Sequence, residues 1–173
     1  MTLTKQGMVD LFQKHVDAEL QADLETTMAT MTDNPHLMNI PVMMGGVGRE
    51  GVRKFYDNHL VGKFFPPDVE MINVSRTVSE DQIVEELVIK FTHTTCIDWM
   101  LPGVAPTHKK VEIGLVVVVK FQNDKIAHEH IYWDQASVLV QIGLLNPKNL
   151  PVSGVEGARK ILDPNLMLRF INS

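Results

Sequence analysis

The residues best suited to proton chemistry lie in one stretch, residues 124–145, which reads DKIAHEHIYWDQASVLVQIGLL. This stretch begins at a turn, continues as a predicted strand, and passes into a short apolar helix. Alternate residues of a strand point to the same face. One face of this strand therefore carries Ile126, His128, His130, Tyr132 and Asp134, and the other carries Ala127, Glu129, Ile131 and Trp133.

Asp134 is the best candidate for a catalytic group. A carboxylate at a pocket floor, beside Tyr132, Trp133 and apolar walls, would have a pKa raised by desolvation. Such a group can remove or return a proton on a carbon next to a carbonyl. Asp is also a preferred N-cap residue, so Asp134 could instead cap the helix that begins at Gln135. The sequence leaves both roles open.

Two histidines could assist this carboxylate. His130 shares its strand face unless a bulge intervenes, and His93 is in phase with Phe91 on an earlier strand. Either imidazole could orient Asp134 or act as a second acid or base, or it could occupy a sheet edge, a subunit contact or the core. We therefore predict Asp134, His130 and His93 as catalytic residues. The side chains that we expect to contact the substrate are Tyr132, Trp133, His128, Trp99, Asp98 and Phe55.

No metal or cofactor is predicted. His93, His128, His130 and Asp98 could form a histidine and carboxylate set, but the chain has no H-x-x-x-H or C-x-x-C spacing. Residues 46–51 spell G-x-G-x-x-G, which is typical of dinucleotide sites that lie in a βαβ unit. Here successive strands follow instead, so we assign these glycines to a tight turn before a helix. No serine lies in a G-x-S-x-G setting, which argues against nucleophilic hydrolysis.

Composition indicates one ordinary globular domain. The chain has 173 residues, of which 45% are hydrophobic and 21% charged, so it can fill a core. A formal net charge of -5 disfavours nucleic-acid binding through a basic surface. The densest apolar segment, residues 113–119, is too short to span a membrane, and residues 1–10 do not resemble a signal peptide. We expect a soluble cytoplasmic protein.

Hydrophobic periodicity predicts helices first and strands later. Apolar residues at three- and four-residue steps predict a long helix over residues 5–31, ended by Asp33-Asn34-Pro35, and a second helix over 49–62. Strands are predicted up to residue 78, over 83–98, over 111–121 and after a hairpin turn at 122–125. This order favours an α+β fold, in which a curved antiparallel or mixed sheet wraps around the long N-terminal helix to form a cone with a pocket. Residues 1–146 would form this domain, and 147–173 would be a tail that packs on it or on a partner subunit.

Several short motifs resemble the SnoaL-like branch of the nuclear transport factor 2-like superfamily. They are FTHT at 91–94, LPG at 101–103, Pro106-Thr107, Lys125-Ile126, Tyr132-Trp133-Asp134 and LVQIGL at 139–144. The resemblance implies a nuclear transport factor 2-like, cystatin-like cone that often dimerises through its outer sheet face. Some relatives are polyketide ester cyclases with an acid/base aspartate near the end of the last strand, where Asp134 falls.

The residues and the resemblance together predict a SnoaL-like protein that binds a small apolar organic ligand. It would be a cofactor-independent cyclase, isomerase or hydratase that acts on a carbonyl compound. The alternative is a non-catalytic ligand-binding or dimerising accessory domain. A homodimer through the outer sheet face is expected in either case.

Overall fold

The computed structural model describes residues 3–59 and 64–168. Its helices are α1 (Lys5–Leu20), α2 (Leu24–Thr30), α3 (Gly48–His59), α4 (Gln135–Gln141) and α5 (Glu156–Leu162), with a 3-10 turn at Ile40–Val42. Its strands are β1 (Met31–Asn39), β2 (Met44–Val47), β3 (Glu70–Val78), β4 (Gln82–Thr92), β5 (Lys110–Gln122) and β6 (Lys125–Trp133).

The strands form one curved six-stranded sheet in the order β2-β1-β6-β5-β4-β3. β1 and β6 pair in parallel, and the other neighbours pair antiparallel. In the parallel pair, β1 from the N-terminal half of the chain lies beside the last strand, β6. The predicted α+β fold with a mixed sheet is confirmed.

The N-terminal helix is shorter than predicted, and the continuous helix over residues 5–31 is wrong. α1 ends at Leu20, and Ala22 adopts a left-handed backbone conformation with φ 59°. Asp23 then starts a new helix, because its carboxylate accepts the backbone N–H of Thr26 at 3.0 Å. β1 begins at Met31, so Asp33-Asn34-Pro35 lies inside a strand and ends no helix.

The glycines of residues 45–51 allow β2 to approach both α3 and β1 closely. A Cβ atom added at Gly46 would lie 2.4 Å from the carbonyl oxygen of Gly51, and one at Gly45 would lie 1.9 Å from that of Leu37. Gly48 begins α3 with φ +72°, which favours glycine. α3 therefore begins one residue before the predicted position, and residues 60–62 of that prediction lie outside the described residues.

The last three strands follow the prediction with two differences. β4 ends at Thr92, well before the predicted Asp98, and the chain continues as a loop. The pairing of β5 with β6 shifts between Lys120 and Phe121, because Phe121 pairs with Ile126 and Lys120 with His128. This bulge turns Ile126 to the buried side, so it does not share a face with His128 as predicted.

The chain after β6 returns to the sheet. In α5, the Arg159 guanidinium pairs with the Glu112 carboxylate of β5 at 2.6 Å, and the side chain of Ile161 lies over Gly114. The hydroxyl of Ser137 in α4 donates to the carbonyl oxygen of Gly154 at 2.7 Å. Among the described residues, no helix has the length and apolar character needed to cross a membrane.

Candidate functional site

A cavity of about 350 Å³ lies between the helices and the inner face of the sheet. Its aromatic walls come from both helices and loops. They are Phe12, Phe55, Phe64, Phe65 and Trp99. The strands contribute mostly aliphatic residues, which are Leu37, Leu87, Ile89, Leu115, Val117 and Ile131. Such a concave and largely apolar space, with a few polar groups, is typical of small-molecule sites.

Strand register fixes the floor of the cavity. One row of paired residues crosses the inner face from β1 to β3, and its members are Asn39, Ile131, Val117, Glu85 and Arg76. The adjacent row contains Leu37, Glu129 and Val119. Because side chains alternate between the faces of a strand, Glu129 points into the cone and its neighbours His128 and His130 point out of it.

Four buried polar residues meet at one wall of the cavity. The Nε2 atom of His15 lies 3.1 Å from the Tyr56 hydroxyl, 3.2 Å from Oε1 of Glu19 and 3.4 Å from Oε2 of Glu129. His15 and Tyr56 are almost completely buried. Of these four residues, only Glu19 and Glu129 line the cavity. His15 and Tyr56 lie behind the two carboxylates and hold them in place.

Helical spacing brings half of this cluster together. Met8, Phe12, His15 and Glu19 follow one another at steps of four, three and four residues, so they continue one stripe of α1. The third member, Tyr56, comes from α3. Glu129 completes the cluster from β6, over a hundred residues further along the chain.

The hydrogen bonds fix one proton of His15. The Thr30 hydroxyl donates to the carbonyl oxygen of Thr27 at 2.6 Å, so its single proton is already used. Its oxygen must therefore accept the Nδ1–H of His15, also at 2.6 Å. The Nε2 atom is then the one that faces the carboxylates.

The two carboxylates favour the doubly protonated imidazole. Burial disfavours a charge on His15, but Glu129 and Glu19 together outweigh burial, and the pKa of His15 rises to about 10. Burial raises the pKa of Glu19; His15 partly offsets that rise and Glu129 adds to it. Burial and the same carboxylates hold the pKa of Tyr56 well above its usual value. The cluster therefore combines an imidazolium, a neutral phenol and two carboxyl groups.

The same groups could hold a metal ion. His15, Glu19 and Glu129 each offer one ligand atom, and these atoms all lie within 4.8 Å of one another. One imidazole and two carboxylates fit a small divalent cation. Such an ion would have to displace the Nε2 proton of His15.

Two further polar features line the cavity. The Oδ1 atom of Asn39 is buried without a hydrogen-bond partner. On the opposite side, the Arg76 guanidinium donates to both carboxylate oxygens of Glu85 at 2.8–3.0 Å, and the Asn73 amide donates to the same carboxylate. The Arg76 charge is thus neutralised within the wall.

The comparisons with known proteins agree with this architecture. A family model for SnoaL-like polyketide cyclases matches residues 9–142. The chain belongs to the SnoaL-like polyketide cyclase family. No curated protein matches it significantly.

Solved structures similar to this SnoaL-like chain share its fold at low sequence identity. AclR, a proposed hydroxylase from Streptomyces galilaeus, is 19% identical with a TM-score of 0.59, over 83% of this chain and 100% of its own. TsrD from Streptomyces laurentii is 14% identical with a TM-score of 0.63, over 83% and 99%. A proposed SnoaL-like polyketide cyclase from Jannaschia is 16% identical with a TM-score of 0.61, over 82% and 94%.

Asp134 lies outside the cavity lining of this SnoaL-like protein. It is exposed at the N-cap of α4, where its carboxylate accepts the backbone N–H of Ser137 at 3.1 Å. Of the two roles that the sequence left open for Asp134, the structure therefore shows the N-cap role. Asp134 does not lie at the floor of the cavity, where the sequence predicted it.

The predicted histidine face of β6 is the outer face of the sheet. His128 and His130 are partly exposed there, and Tyr132 is 41% exposed. His93 follows β4 and is fully buried, with its Nδ1 atom accepting the backbone N–H of Thr107 at 3.3 Å. None of these four residues lines the cavity.

Two of the nine predicted site residues, Trp99 and Phe55, do line the cavity. The Trp99 indole N–H donates to the carbonyl oxygen of Phe64 at 2.7 Å, which holds its ring in the wall. Trp133 packs edge-on behind Trp99, with 5.7 Å between ring centroids. Asp98 accepts the backbone N–H of Gly103 at 3.3 Å and so shapes the following loop.

Four residues of this cluster, His15, Glu19, Tyr56 and Glu129, were not predicted as site residues from the sequence. One available signal was the step of four and three residues from Phe12 to His15 and Glu19, which places both polar residues on the buried stripe. Another was the pair Ile131 and Trp133, which marks the Glu129 face of β6 as the more apolar one.

Proposed function

We propose that this SnoaL-like protein binds a small, largely apolar carbonyl compound in its cavity and transfers a proton on it. The observation that carries the proposal is the pair Glu19 and Glu129, two carboxyl groups at the wall of an otherwise apolar cavity, held by a buried imidazole. Asp134 is not part of this proposal.

The two carboxyl groups would divide the work. Glu129 would remove a proton from the carbon next to the carbonyl. The electron pair of that C–H bond would form a C=C bond to the carbonyl carbon, and the π pair of the carbonyl would move to its oxygen. Glu19, whose pKa is raised chiefly by burial, would donate its proton to that oxygen as charge develops. His15 and Tyr56 would position the carboxyl groups and keep their combined charge low. Return of the proton at another carbon gives isomerisation, attack of the enol on a second carbonyl gives cyclisation, and loss of a leaving hydroxyl gives dehydration.

The walls restrict the ligand. A volume of about 350 Å³ suits a molecule of drug-like or smaller size. The five aromatic residues favour a planar or unsaturated body. Asn39 offers a buried amide with an unused acceptor, which would take a hydroxyl or N–H donor from the ligand, since an unpaired buried polar atom is costly.

A paired binding and exchange experiment tests this proposal. A panel of lactones, esters and ketones would be screened by tryptophan fluorescence, to which Trp99 in the cavity wall contributes. Bound compounds would then be followed for solvent deuterium uptake next to the carbonyl. We expect Glu129→Gln to bind within about threefold of wild type and to exchange at least about 100-fold more slowly.

The controls separate binding from chemistry. Leu115→Trp should fill the cavity and abolish binding, while leaving the outer face untouched; binding to this variant would be measured by calorimetry, because the added indole has its own fluorescence. If Glu129→Gln and Glu19→Gln both exchanged within about twofold of wild type, the acid/base roles would be refuted. Binding by wild type with no exchange and no turnover would favour the non-catalytic binding domain. Repeating the assay after chelation and after addition of Zn²⁺ tests whether the cluster acts through a metal ion instead.

A further inference from the structure

The lining of the cavity changes from buried to exposed along the sheet. One end lies at β1 and β6, where Asn39 and Glu129 are at most 3% exposed. The other end lies at the edge strand β3, where the lining residues Met71, Asn73 and Arg76 are exposed. A ligand would therefore enter at β3, and the part that enters first would reach the carboxyl groups.

At this open end, the Arg76 guanidinium is held by a fixed partner. Its Nε and Nη2 atoms donate to the carboxylate of Glu85 at 2.8–3.0 Å. The Asn73 amide donates to the same carboxylate, and Glu85 is buried. A planar guanidinium that is already oriented in this way loses little further freedom when it binds a second partner.

The pairing with Glu85 leaves part of the guanidinium unused. In the described part of the chain, no acceptor is bonded to the Nη1 atom of Arg76, which carries two of the five N–H groups of a guanidinium. The side chain lines the cavity and is 27% exposed, so an oxygen atom of a ligand can approach it. Hydrogen bonds from a charged donor are stronger than those between neutral groups.

The charges around Arg76 favour a neutral acceptor over an anion. Glu85 already neutralises the guanidinium, and Glu19 and Glu129 add two further carboxyl groups to the lining of the same cavity. A carboxylate on the ligand would therefore be repelled. A hydroxyl or carbonyl oxygen would accept a hydrogen bond from Nη1 without that repulsion.

Strand spacing sets the distance between this donor and the proposed base. Glu85 and Arg76 lie two and three strands away from β6, which carries Glu129. With neighbouring strands about 4.8 Å apart, the two polar ends of the cavity are separated by about 10–14 Å along the sheet. We propose that Arg76 binds a second, neutral oxygen of the ligand at about this distance from the reacting carbon.

This assignment rests on the proposed function and narrows its substrate class. The substrate would be an elongated, unsaturated compound with its reactive carbonyl at the inner end and a hydroxyl or carbonyl oxygen at the outer end. Arg76 would then determine specificity and the direction in which the ligand lies. It would take no part in the proton transfer itself.

A pair of isosteric ketones tests the assignment. One is a biphenyl with an acetyl group at one end and a hydroxyl group at the other, and its analogue carries a methyl group in place of the hydroxyl. Calorimetry gives Kd for each, and the ratio of the two Kd values reports the contribution of the outer oxygen. Arg76→Lys should reduce the preference for the hydroxyl compound at least about tenfold, because lysine keeps a charge beside Glu85 but lacks the guanidinium donors.

The matched control is Arg53→Lys. Arg53 forms the same kind of pair with Glu25, but it is exposed and lies outside the cavity lining, so its substitution should leave the ratio unchanged. If Arg76→Lys does not fold, the double variant Arg76→Met with Glu85→Leu removes both charges together and leaves no unpaired carboxylate. This double variant should lose the same preference.

The orientation of the bound hydroxyl compound is a second readout. In wild type, nuclear Overhauser contacts should join the hydroxylated ring to the methyl group of Met71 and the acetyl group to the methyl groups of Ile131. Met71 lies at the open end, and Ile131 lies two residues from Glu129 on β6. The reverse orientation would contradict the proposal.

Three further results would overturn the role of Arg76. They are an equal preference in wild type and in the Arg76 variants, tighter binding of the carboxyl analogue than of the hydroxyl compound, and wild type that binds other carbonyl compounds but not this one. The proton transfer is tested separately, because Glu129→Gln should lose exchange and keep the preference. Normal exchange in Glu129→Gln, with the preference lost in Arg76→Lys, would refute the acid/base chemistry and support the Arg76 subsite.

Discussion

The Nε2 atom of His15 lies 3.4 Å from Oε2 of Glu129, and this contact joins α1 to β6 inside the cone. Both side chains are nearly inaccessible to solvent, at 0% and 4% exposure. Because Oε1 of Glu19 lies 3.2 Å from the same nitrogen, the imidazolium is the counter-charge for two buried carboxyl groups.

Removal of His15 should therefore destabilise the protein strongly. We expect His15→Ala to lower the free energy of unfolding by about 3–5 kcal/mol, because it leaves two buried acidic groups without a counter-charge. Urea denaturation measures this loss. Adding Glu129→Gln to His15→Ala should recover part of it, since one carboxylate is then neutral. A loss below about 1 kcal/mol in the single variant would mean that the cluster is not an ion pair.

The same contact predicts how stability depends on pH. The pKa of His15 is about 10 when folded, against 6.5 as its ordinary value, so the folded state holds an extra proton between these values. This stabilisation is complete below pH 6.5 and is lost as the pH rises towards 10. Glu19 acts in the same direction because its pKa is also raised.

The pKa shifts of three other histidines predict how stability changes as the pH falls. The pKa values of His93, His128 and His130 are lowered, with burial as the main cause. Their stabilisation is present above pH 6.5 and is lost as the pH falls below it, because the unfolded chain then binds more protons. Melting temperature should peak near neutral pH, and His15→Gln should flatten the alkaline limb alone. An unchanged alkaline limb would contradict the raised pKa of His15.

Periodicity was sufficient to predict most elements but not the orientation of β6. Alternation correctly grouped His128, His130 and Tyr132 on one face. Alternation alone does not decide which face turns inward, because both faces carry titratable groups; the difference between them is that the Glu129 face also carries Ile131 and Trp133. The bulge that turns Ile126 inward depends on pairing with β5, which no local pattern specifies.

The candidate site was harder to predict because its members come from three distant elements. His15 and Glu19 are close in sequence, and their spacing could have placed them on the buried stripe of α1. Their partners Tyr56 and Glu129 are chosen by packing between elements. For Glu129, the apolar side chains on its face of β6 indicate burial, but they do not indicate that it will meet a cavity or that His15 will be its partner.

The close approach of β2 and α3 gives a prediction with a matched control. Gly46→Ala should cost at least about 2 kcal/mol, because its Cβ would lie 2.4 Å from backbone atoms of Gly51, which cannot move without shifting the helix. Gly51→Ala should be neutral or stabilising by up to about 1 kcal/mol, because it lies within α3 and its Cβ meets only ordinary contacts at 3.8 Å. Thermal unfolding of the two variants tests the assignment, and equal effects would contradict it.

Asp134 gives the prediction that separates the two roles left open by the sequence. As the N-cap of α4, its carboxylate accepts the Ser137 N–H, so Asp134→Ala should lower the free energy of unfolding by about 1 kcal/mol. Asp134→Asn should be nearly neutral, because an amide oxygen caps equally well. Once a substrate is found, Asp134→Asn should keep activity within about twofold, because the carboxylate is exposed and outside the cavity lining. A loss of 100-fold or more at unchanged stability would return the acid/base role to Asp134 and count against Glu129.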